Sequence, residues 1–385
     1  MPLRVLLTGS STRAAAASAA RAGYRVTALD AFADLDQHPG VRALATRRDF
    51  GLPATAAAMS RAARDLSADT VSYLSPFENH PDAVMRLARG RVLWGNTADA
   101  LRTVRDPLVV AARLGERGCS VPATRTAAGE CGPRATVAPW LVKPTASGGG
   151  RGIRRWTDAR PVPHGHYLQE AIEGVSGSVT FVAAGGRCLV LAITRQLIGE
   201  AAFGAPPFRY CGSIISSAED RTLGFEPSVH VRAARLAEAA AEAFPLVGVN
   251  GVDFVVRGDD PLPVEVNPRW TASMELVDRQ GATPVFALHA GACAGGGLPS
   301  SPPAIALAAT AHGKAVLYAR APAQAPDTQA WLLDRDIADV PRPGAPLREG
   351  DPICTVFATA DTAAGCQRAL AAKAAQVYAL IHPPV

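Results

Sequence analysis

Long apolar runs are missing from this 385-residue chain. Nothing approaches the ~18 uninterrupted apolar residues of a membrane-spanning helix, so no span is expected. The start, MPLRVLLTGS, has only a short apolar run before polar residues, which reads as a first strand and is too short for a signal-peptide core. Cysteine pairs are missing too. The seven cysteines, Cys119, Cys131, Cys188, Cys211, Cys293, Cys354 and Cys366, are odd in number, widely spaced and without a CxxC pair. That argues against a disulfide framework and for reduced thiols in a cytoplasmic protein. No block of one charge occurs. A net charge of +5 with scattered Arg and Lys argues against nucleic acid and fits small phosphorylated ligands better. Aromatics reach only 6%, and much of the 48% hydrophobic content is alanine, as in Ala14 to Ala17, so composition overstates the core. The HxH of His164 and His166 lies in a loop without another plausible ligand nearby and reads as exposed histidines, not zinc. No convincing Ser-His-Asp or Cys-His arrangement suggests a covalent enzyme nucleophile.

What is present suggests two or three domains. Arg4 to Thr8, Arg25 to Leu29 and Thr70 to Leu74 read as strands, with a helix over Thr12 to Ala22 closed by Gly23. This βαβ order predicts a parallel sheet with covering helices. The loop Thr8-Gly9-Ser10-Ser11 sits where such sheets place ligands but lacks GxGxxG, so a dinucleotide site is not expected. Glu78, in SPFENHP, faces either the same crevice or solvent. Leu108 to Gly118 reads as a helix and the stretch from Val121 as a connector, with β-hairpins from Ala138 onward. Arg232 to Phe244 reads as an alanine-rich helix. After a loop with Ser300, Ser301, Pro302 and Pro303 come strands at Ala315 to Ala319 and Ile353 to Phe357 and a helix over Ala363 to Leu380. The expected divisions are 1–104, 105–300 and 301–385.

The segment VDFVVRGDDPLPVEVNPR, Val252 to Arg269, is the most informative. Apolar and polar residues alternate on either side of a GDDP turn, as in a β-hairpin. Folding it brings Asp253 opposite the stretch from Glu265 to Asn267. Three hard oxygen donors then converge, a set suited to Mg²⁺. A lone strand carboxylate usually faces solvent, but three in register followed by Asn-Pro-Arg favour a metal. Arg269 adds a planar fork for phosphate or carboxylate.

Upstream, Lys143 precedes Ser147-Gly148-Gly149-Gly150-Arg151-Gly152 between two strand-like runs. This is not a Walker loop, which leads into a helix. It reads as a glycine-rich hairpin, either an ordinary turn or a flap whose missing side chains would let backbone N–H groups approach phosphate, with Lys143 near an α- or β-phosphate. Next, Tyr167 to Gly174 runs from a strand into carboxylates. Backbone groups at Glu170 and Ile172 would suit an adenine edge, and Glu173 a ribose hydroxyl; an ordinary strand exit fits equally.

Taken in order, these pieces resemble the ATP-grasp superfamily: a lysine before a glycine-rich flap, a Q-E-x-I-x-G hinge and a final G-x-D…E-x-N-P-R hairpin. The tail PRPGAPLREGDPICTVFA resembles the closing segment of the biotin-carboxylase-related branch, and the chain is most similar to predicted ATP-dependent carboligases of that branch. The resemblance implies α/β and α+β classes, in an ATP-grasp architecture with a Rossmann-like pre-ATP-grasp domain. It implies Lys143 on phosphate, Gly148 to Gly152 as flap, and Gln169, Glu170 and Ile172 around adenine. It further implies Asp253, Glu265 and Asn267 on Mg²⁺ and Arg269 on the transferred phosphate or acyl phosphate. Two positions depart from the pattern. Arg105 stands where relatives often have a phosphate-binding lysine, and Ser176 where many have glutamate, with Glu173 as the expected substitute.

The implied activity is an ATP-dependent carboxylate–amine ligase releasing ADP and phosphate, with ATP and Mg²⁺, or Mn²⁺, as cofactors. Its partners would be a small carboxylate and an amine, with no nucleic acid or membrane and with a homodimer left open. Substrate contacts are expected from Arg195, Tyr210 and the stretch from Arg269 to Ser273. The alternatives are a carboxyphosphate-forming or kinase-type enzyme, and a nucleotide-binding protein without catalysis.

Overall fold

The computed structural model describes residues 2–126, 139–157, 161–295, 297–299 and 310–381. The loop expected at Ser300 to Pro303 lies outside them. The N-terminal apolar runs become parallel strands: β1 (Arg4–Thr8), β2 (Arg25–Asp30), β3 (Val41–Ala45), β4 (Thr70–Tyr73) and β5 (Val92–Leu93), in the order β3-β2-β1-β4-β5. Between and after them come α1 (Arg13–Arg21), α2 (Thr46–Phe50), α3 (Ala56–Ala62), α4 (Pro81–Leu87) and α5 (Ala98–Val104). α1 is alanine-rich because Ala15, Ala16 and Ala19 are buried, and Gly23 at φ +88° follows its C-terminus. Gly9 is required in the β1–α1 turn, where an added Cβ would sit 2.7 Å from Leu74 Cβ. The elements β3 and α2 to α5 were not anticipated, being too short for periodicity to reveal them.

α6 (Pro107–Gly115) starts where Pro107 fills the first helical turn and the Asp106 carboxylate accepts from Leu108 N at 2.9 Å and Val109 N at 3.2 Å. A small antiparallel sheet follows, with β6 (Thr124–Thr126), β7 (Trp140–Pro144), β8 (Arg154–Arg155) and β9 (His166–Glu170) in the order β6-β9-β7-β8. The glycine-rich flap joins β7 to β8.

The large sheet is antiparallel. It begins with β10 (Ser176–Ala184), β11 (Arg187–Ile198) and β12 (Tyr210–Ile215), and α7 (Pro227–Ala243) leads to β13 (Gly248–Arg257) and β14 (Asp260–Asn267). α7 begins earlier than expected because Pro227 opens it, a residue easily read as loop. α8 (Met274–Gln280) and α9 (Val285–Cys293) come next. β15 (Ala311–Tyr318) pairs with β12, and β16 (Ala323–Gln324) with β18 (Pro346–Leu347). β17 (Ile337–Ala338) and β19 (Pro352–Ala360) complete the order β14-β13-β10-β11-β12-β15-β19-β17, and α10 (Ala363–Ile381) packs on β15 and β19. The C-terminal segment thus extends the sheet that carries the β13–β14 hairpin.

A buried ionic cluster ties the layers together. Arg13 pairs with Asp339 at 2.7 Å and with Glu275, whose other oxygen meets Lys314 Nζ at 2.5 Å. No helix among the described residues is long and apolar enough to cross a membrane.

Candidate active site

The hairpin forms, with a register shift between Asp253 and Phe254 that brings Glu265 into line. Val252, Phe254, Val256 and Val266 are buried, and Asp253 stands directly opposite Glu265 across β13 and β14. Asn267 Nδ2 donates to Asp253 Oδ2 at 2.9 Å, and Gln196 Nε2 to Asp253 Oδ1 at 2.9 Å. Burial, and then the charge of Glu265, push the Asp253 carboxyl up to about 6. Two carboxylates facing each other in a buried place call for a cation. Beside Asp253 on the same face, the buried Ser178 Oγ and Thr194 Oγ1 have no hydrogen-bond partner among the described residues. Hard donors with spare lone pairs fit Mg²⁺. The Asn267 carbonyl oxygen already accepts from Arg269 Nη2 at 2.9 Å, which leaves it one lone pair. Among the described residues no cluster of three His, Cys, Asp or Glu occurs, since the third donor here is an amide.

Cations surround this pair. Arg105 Nη1 lies 2.7 Å from Glu265 Oε1 and 2.9 Å from the Val266 carbonyl, and Asn79 Oδ1 accepts from Arg105 Nη2 at 2.9 Å. Burial lowers the Arg105 pKa but Glu265 and Glu78 outweigh it, so the guanidinium stays charged. Lys143 Nζ donates to Gln169 Oε1 at 2.9 Å and to the Val264 carbonyl at 3.1 Å. Burial lowers its pKa, with Glu265 opposing. An anionic ligand would restore both charge and solvation there.

Arg105, Lys143, Ser147, Gly148, Gly150, Tyr167, Gln169 and Glu265 help line one open cleft. The flap is docked over it. Ser147 O accepts from Asn79 Nδ2 at 3.1 Å and from Arg105 Nη2 at 3.2 Å, and Gly149 O from Tyr210 N at 3.2 Å. Gly149, Gly150 and Gly152 have φ of 61°, 78° and 77°, and a Cβ on Gly150 would fall 1.7 Å from the Phe208 carbonyl. The flap needs glycine both for its left-handed backbone and for this approach.

Arg269 donates from Nε to Glu78 Oε1 at 2.9 Å. Glu78 is buried, and its Oε2 has no partner among the described residues. Burial raises its pKa, but Arg269 and Arg105 outweigh it and hold the carboxyl below its ordinary value. Sequence reasoning left Glu78 between crevice and solvent; the structure puts it in the crevice. Asn79 and Gln196 were missed, for their partners lie 26 and 57 residues away.

Other expectations fare differently. The Glu170 N–H donates to Ala123 O at 2.8 Å, and its carboxylate takes Ala123 N at 3.1 Å and Arg257 Nη2 at 2.8 Å. From its backbone Glu170 therefore has only its carbonyl to offer an adenine. The Ile172 N–H, without a partner among the described residues, is free to donate. Glu173 is exposed in the loop after β9. Tyr210 bonds Ser213 at 2.9 Å on the Asp253 face of the sheet. Ser273 is buried against Thr271 Oγ1 at 3.0 Å. Arg195 is a correction: it pairs with Gly177, which pairs with Phe254, so it lies on the sheet face opposite Asp253. Its neighbour Gln196 occupies the site instead.

Facing carboxylates, a buried lysine and a docked glycine flap thus meet at one cleft. The family model of the ATP-grasp domain matches residues 104–273. Carboxyaminoimidazole ribonucleotide synthase from Aspergillus clavatus, solved with ATP, has the same fold at 17% identity, covering 99% of both chains with a TM-score of 0.69. L-amino acid ligase from Bacillus licheniformis is similar at 15% identity, 98% of both chains and TM-score 0.69. Biotin carboxylase from Campylobacter jejuni is similar at 14% identity, 96% of this chain and 90% of that one, and TM-score 0.68. No curated protein matches the sequence.

Proposed function

We propose that this protein is an ATP-dependent ligase that joins a small carboxylate to an amine and releases ADP and phosphate. One observation carries the reading: Asp253 faces Glu265 while Arg105, Lys143 and Arg269 converge on that hairpin beneath a docked flap. Mg²⁺ held by Asp253, Glu265 and Asn267 would neutralise phosphate charge. Lys143 and Arg105 would hold the phosphates of ATP, with flap N–H groups from Ser147 to Gly152 above them. Gln169, the Glu170 carbonyl and the Ile172 N–H would frame the adenine, and Arg269 would meet the phosphoryl group in transit.

In this reaction a substrate carboxylate oxygen attacks the γ-phosphorus, the bond from phosphorus to the β–γ bridging oxygen breaks, and ADP leaves. An amine nitrogen then attacks the acyl carbon of the acyl phosphate. The carbon–oxygen bond to phosphate breaks, and phosphate departs with the amine proton. The similar proteins are by name a synthase, a ligase and a carboxylase, which supports the class. The test is Mg-ATP-dependent phosphate release on metabolite pools, with the ligated product identified by mass. ADP and phosphate are expected; AMP and pyrophosphate would overturn the assignment.

A further inference from the structure

Guanidinium groups near the site usually meet a carboxylate, as Arg105 meets Glu265 and Arg269 meets Glu78. Arg151 and Arg209 do not, for no carboxylate among the described residues lies within ion-pair distance of either. The docked flap brings the two together. Gly149 O accepts from Tyr210 N at 3.2 Å, and a Cβ on Gly150 would lie 3.3 Å from Arg209 Cα, so Arg151 follows directly beside Arg209. Phe208 holds φ +65°, a left-handed conformation that an aromatic residue rarely adopts. Such backbone outliers cluster at ligand clamps. Here the outlier turns the Phe208 carbonyl onto the flap and seats Arg209 at the head of β12.

The Arg209 guanidinium lies 5.4 Å from the Tyr318 ring centroid, and the Tyr318 hydroxyl donates to Tyr210 O at 2.7 Å, so an aromatic shelf holds it. Burial, then the charge of Arg151, lower the Arg209 pKa. Two arginines on adjoining stretches of backbone, neither with a carboxylate among the described residues, offer an anion a paired site. The place is continuous with the metal site: Gln196 bonds Asp253 and pairs across the strands with Ser213, whose hydroxyl meets Tyr210.

We infer that Arg151 and Arg209 form an anion clamp, completed when the flap docks, and that the acid activated at Arg269 carries a second anionic group, carboxylate or phosphate, held there. The inference rests on the ligase reading for its reacting end only.

The experiment is calorimetry on the full chain with Mg²⁺ and a non-hydrolysable ATP analogue bound, so that the γ-phosphate position is filled. The probes are butyrate, glutarate and 3-phosphonopropionate. At least one doubly anionic acid should bind about tenfold or more tighter than butyrate, as a charge-assisted pair contributes. The tighter of the two tells carboxylate from phosphate. Arg209→Gln and Arg151→Gln should each shrink that preference to about threefold or less. Equal binding of all three acids by the unmodified protein, or an undiminished preference in Arg209→Gln, overturns the clamp. Arg151 is exposed on the flap, so its variant reports even where Arg209→Gln fails to fold. Hydroxylamine trapping of the acyl phosphate with the same acids tests the ligase reading separately. Clamp-dependent binding without hydroxamate would overturn that reading alone.

Discussion

Glu78 Oε1 accepts from Arg269 Nε at 2.9 Å, joining residues 191 apart in sequence inside the crevice between the N-terminal sheet and the metal hairpin. The carboxylate is fully buried and serves to aim the guanidinium, whose other nitrogens reach Asn267 Oδ1 and the Trp270 carbonyl. Glu78 is thus a positioning residue.

Glu78→Gln keeps the shape and removes the charge. Turnover should fall on the order of 100-fold, as it does when a reacting group is misplaced by about an ångström. Nucleotide affinity should change little, because Arg105 and Lys143 are untouched. Steady-state kinetics beside nucleotide calorimetry decide it, and Glu78→Asp should recover part of kcat. Equal losses in kcat and in nucleotide affinity would refute the positioning role.

Asp253→Asn and Glu265→Gln each remove one charge from the facing pair. Loss of Mg-dependent phosphate release by roughly 100- to 1000-fold is expected, the scale of a lost electrostatic contact to a transferring group. Glu265→Gln should cost more in fold stability, since it also strips Arg105 of its carboxylate. Magnesium titrations of turnover, with melting curves as control, separate the two effects.

Gly150→Ala and Gly149→Ala form a matched pair. Both positions have positive φ, but the new Cβ at Gly150 meets the Phe208 carbonyl at 1.7 Å while that at Gly149 meets nothing within 4 Å. The first should block docking of the flap and raise the KM for ATP sharply. The second should pay only the left-handed penalty, roughly 1–2 kcal/mol. Similar KM values for both variants would show that docking against Phe208 is not required.

Stability should fall in acid through Glu275. Burial raises its pKa, but Arg13 and Lys314 outweigh that and hold it at about 2, below the ordinary 4.5. A carboxyl depressed in the folded state contributes stability above the unfolded value, and loses it as pH falls from 4.5 towards 2. Melting temperature should therefore drop across that window. Glu275→Gln, destabilised by roughly 3–5 kcal/mol because buried Lys314 loses its carboxylate and Arg13 one of its partners, should show a flatter curve. An unchanged slope would assign the acid sensitivity elsewhere.

Much of this site is legible in residue order, and the reason is local. Strand alternation and a turn at Gly258 and Asp259 pair Arg257 with Asp260, and a bulge at Val264 then sets Asp253 against Glu265, a shift that residue order does not announce. Lys143 and the glycine loop are likewise neighbours on one hairpin. Arg195 shows where such reasoning ends. Its parity on β11 gives two faces but not which one meets Asp253, and the choice falls to Gln196 through pairing with β10 and β12. Glu170 is similar: nothing near it in sequence announces that Arg257 would take its carboxylate.

The chain by itself determined the βαβ order, the hairpin that carries Asp253 and Glu265, and the lysine beside the glycine flap. Each follows from interactions within about twenty residues, where periodicity and turn chemistry act. Only the tertiary structure decided that Arg105 meets Glu265, that Glu78 aims Arg269, that the flap docks on Phe208 and that the C-terminal strands extend the large sheet. Those contacts join segments tens to hundreds of residues apart, and only the packing of sheets against one another sets their distance.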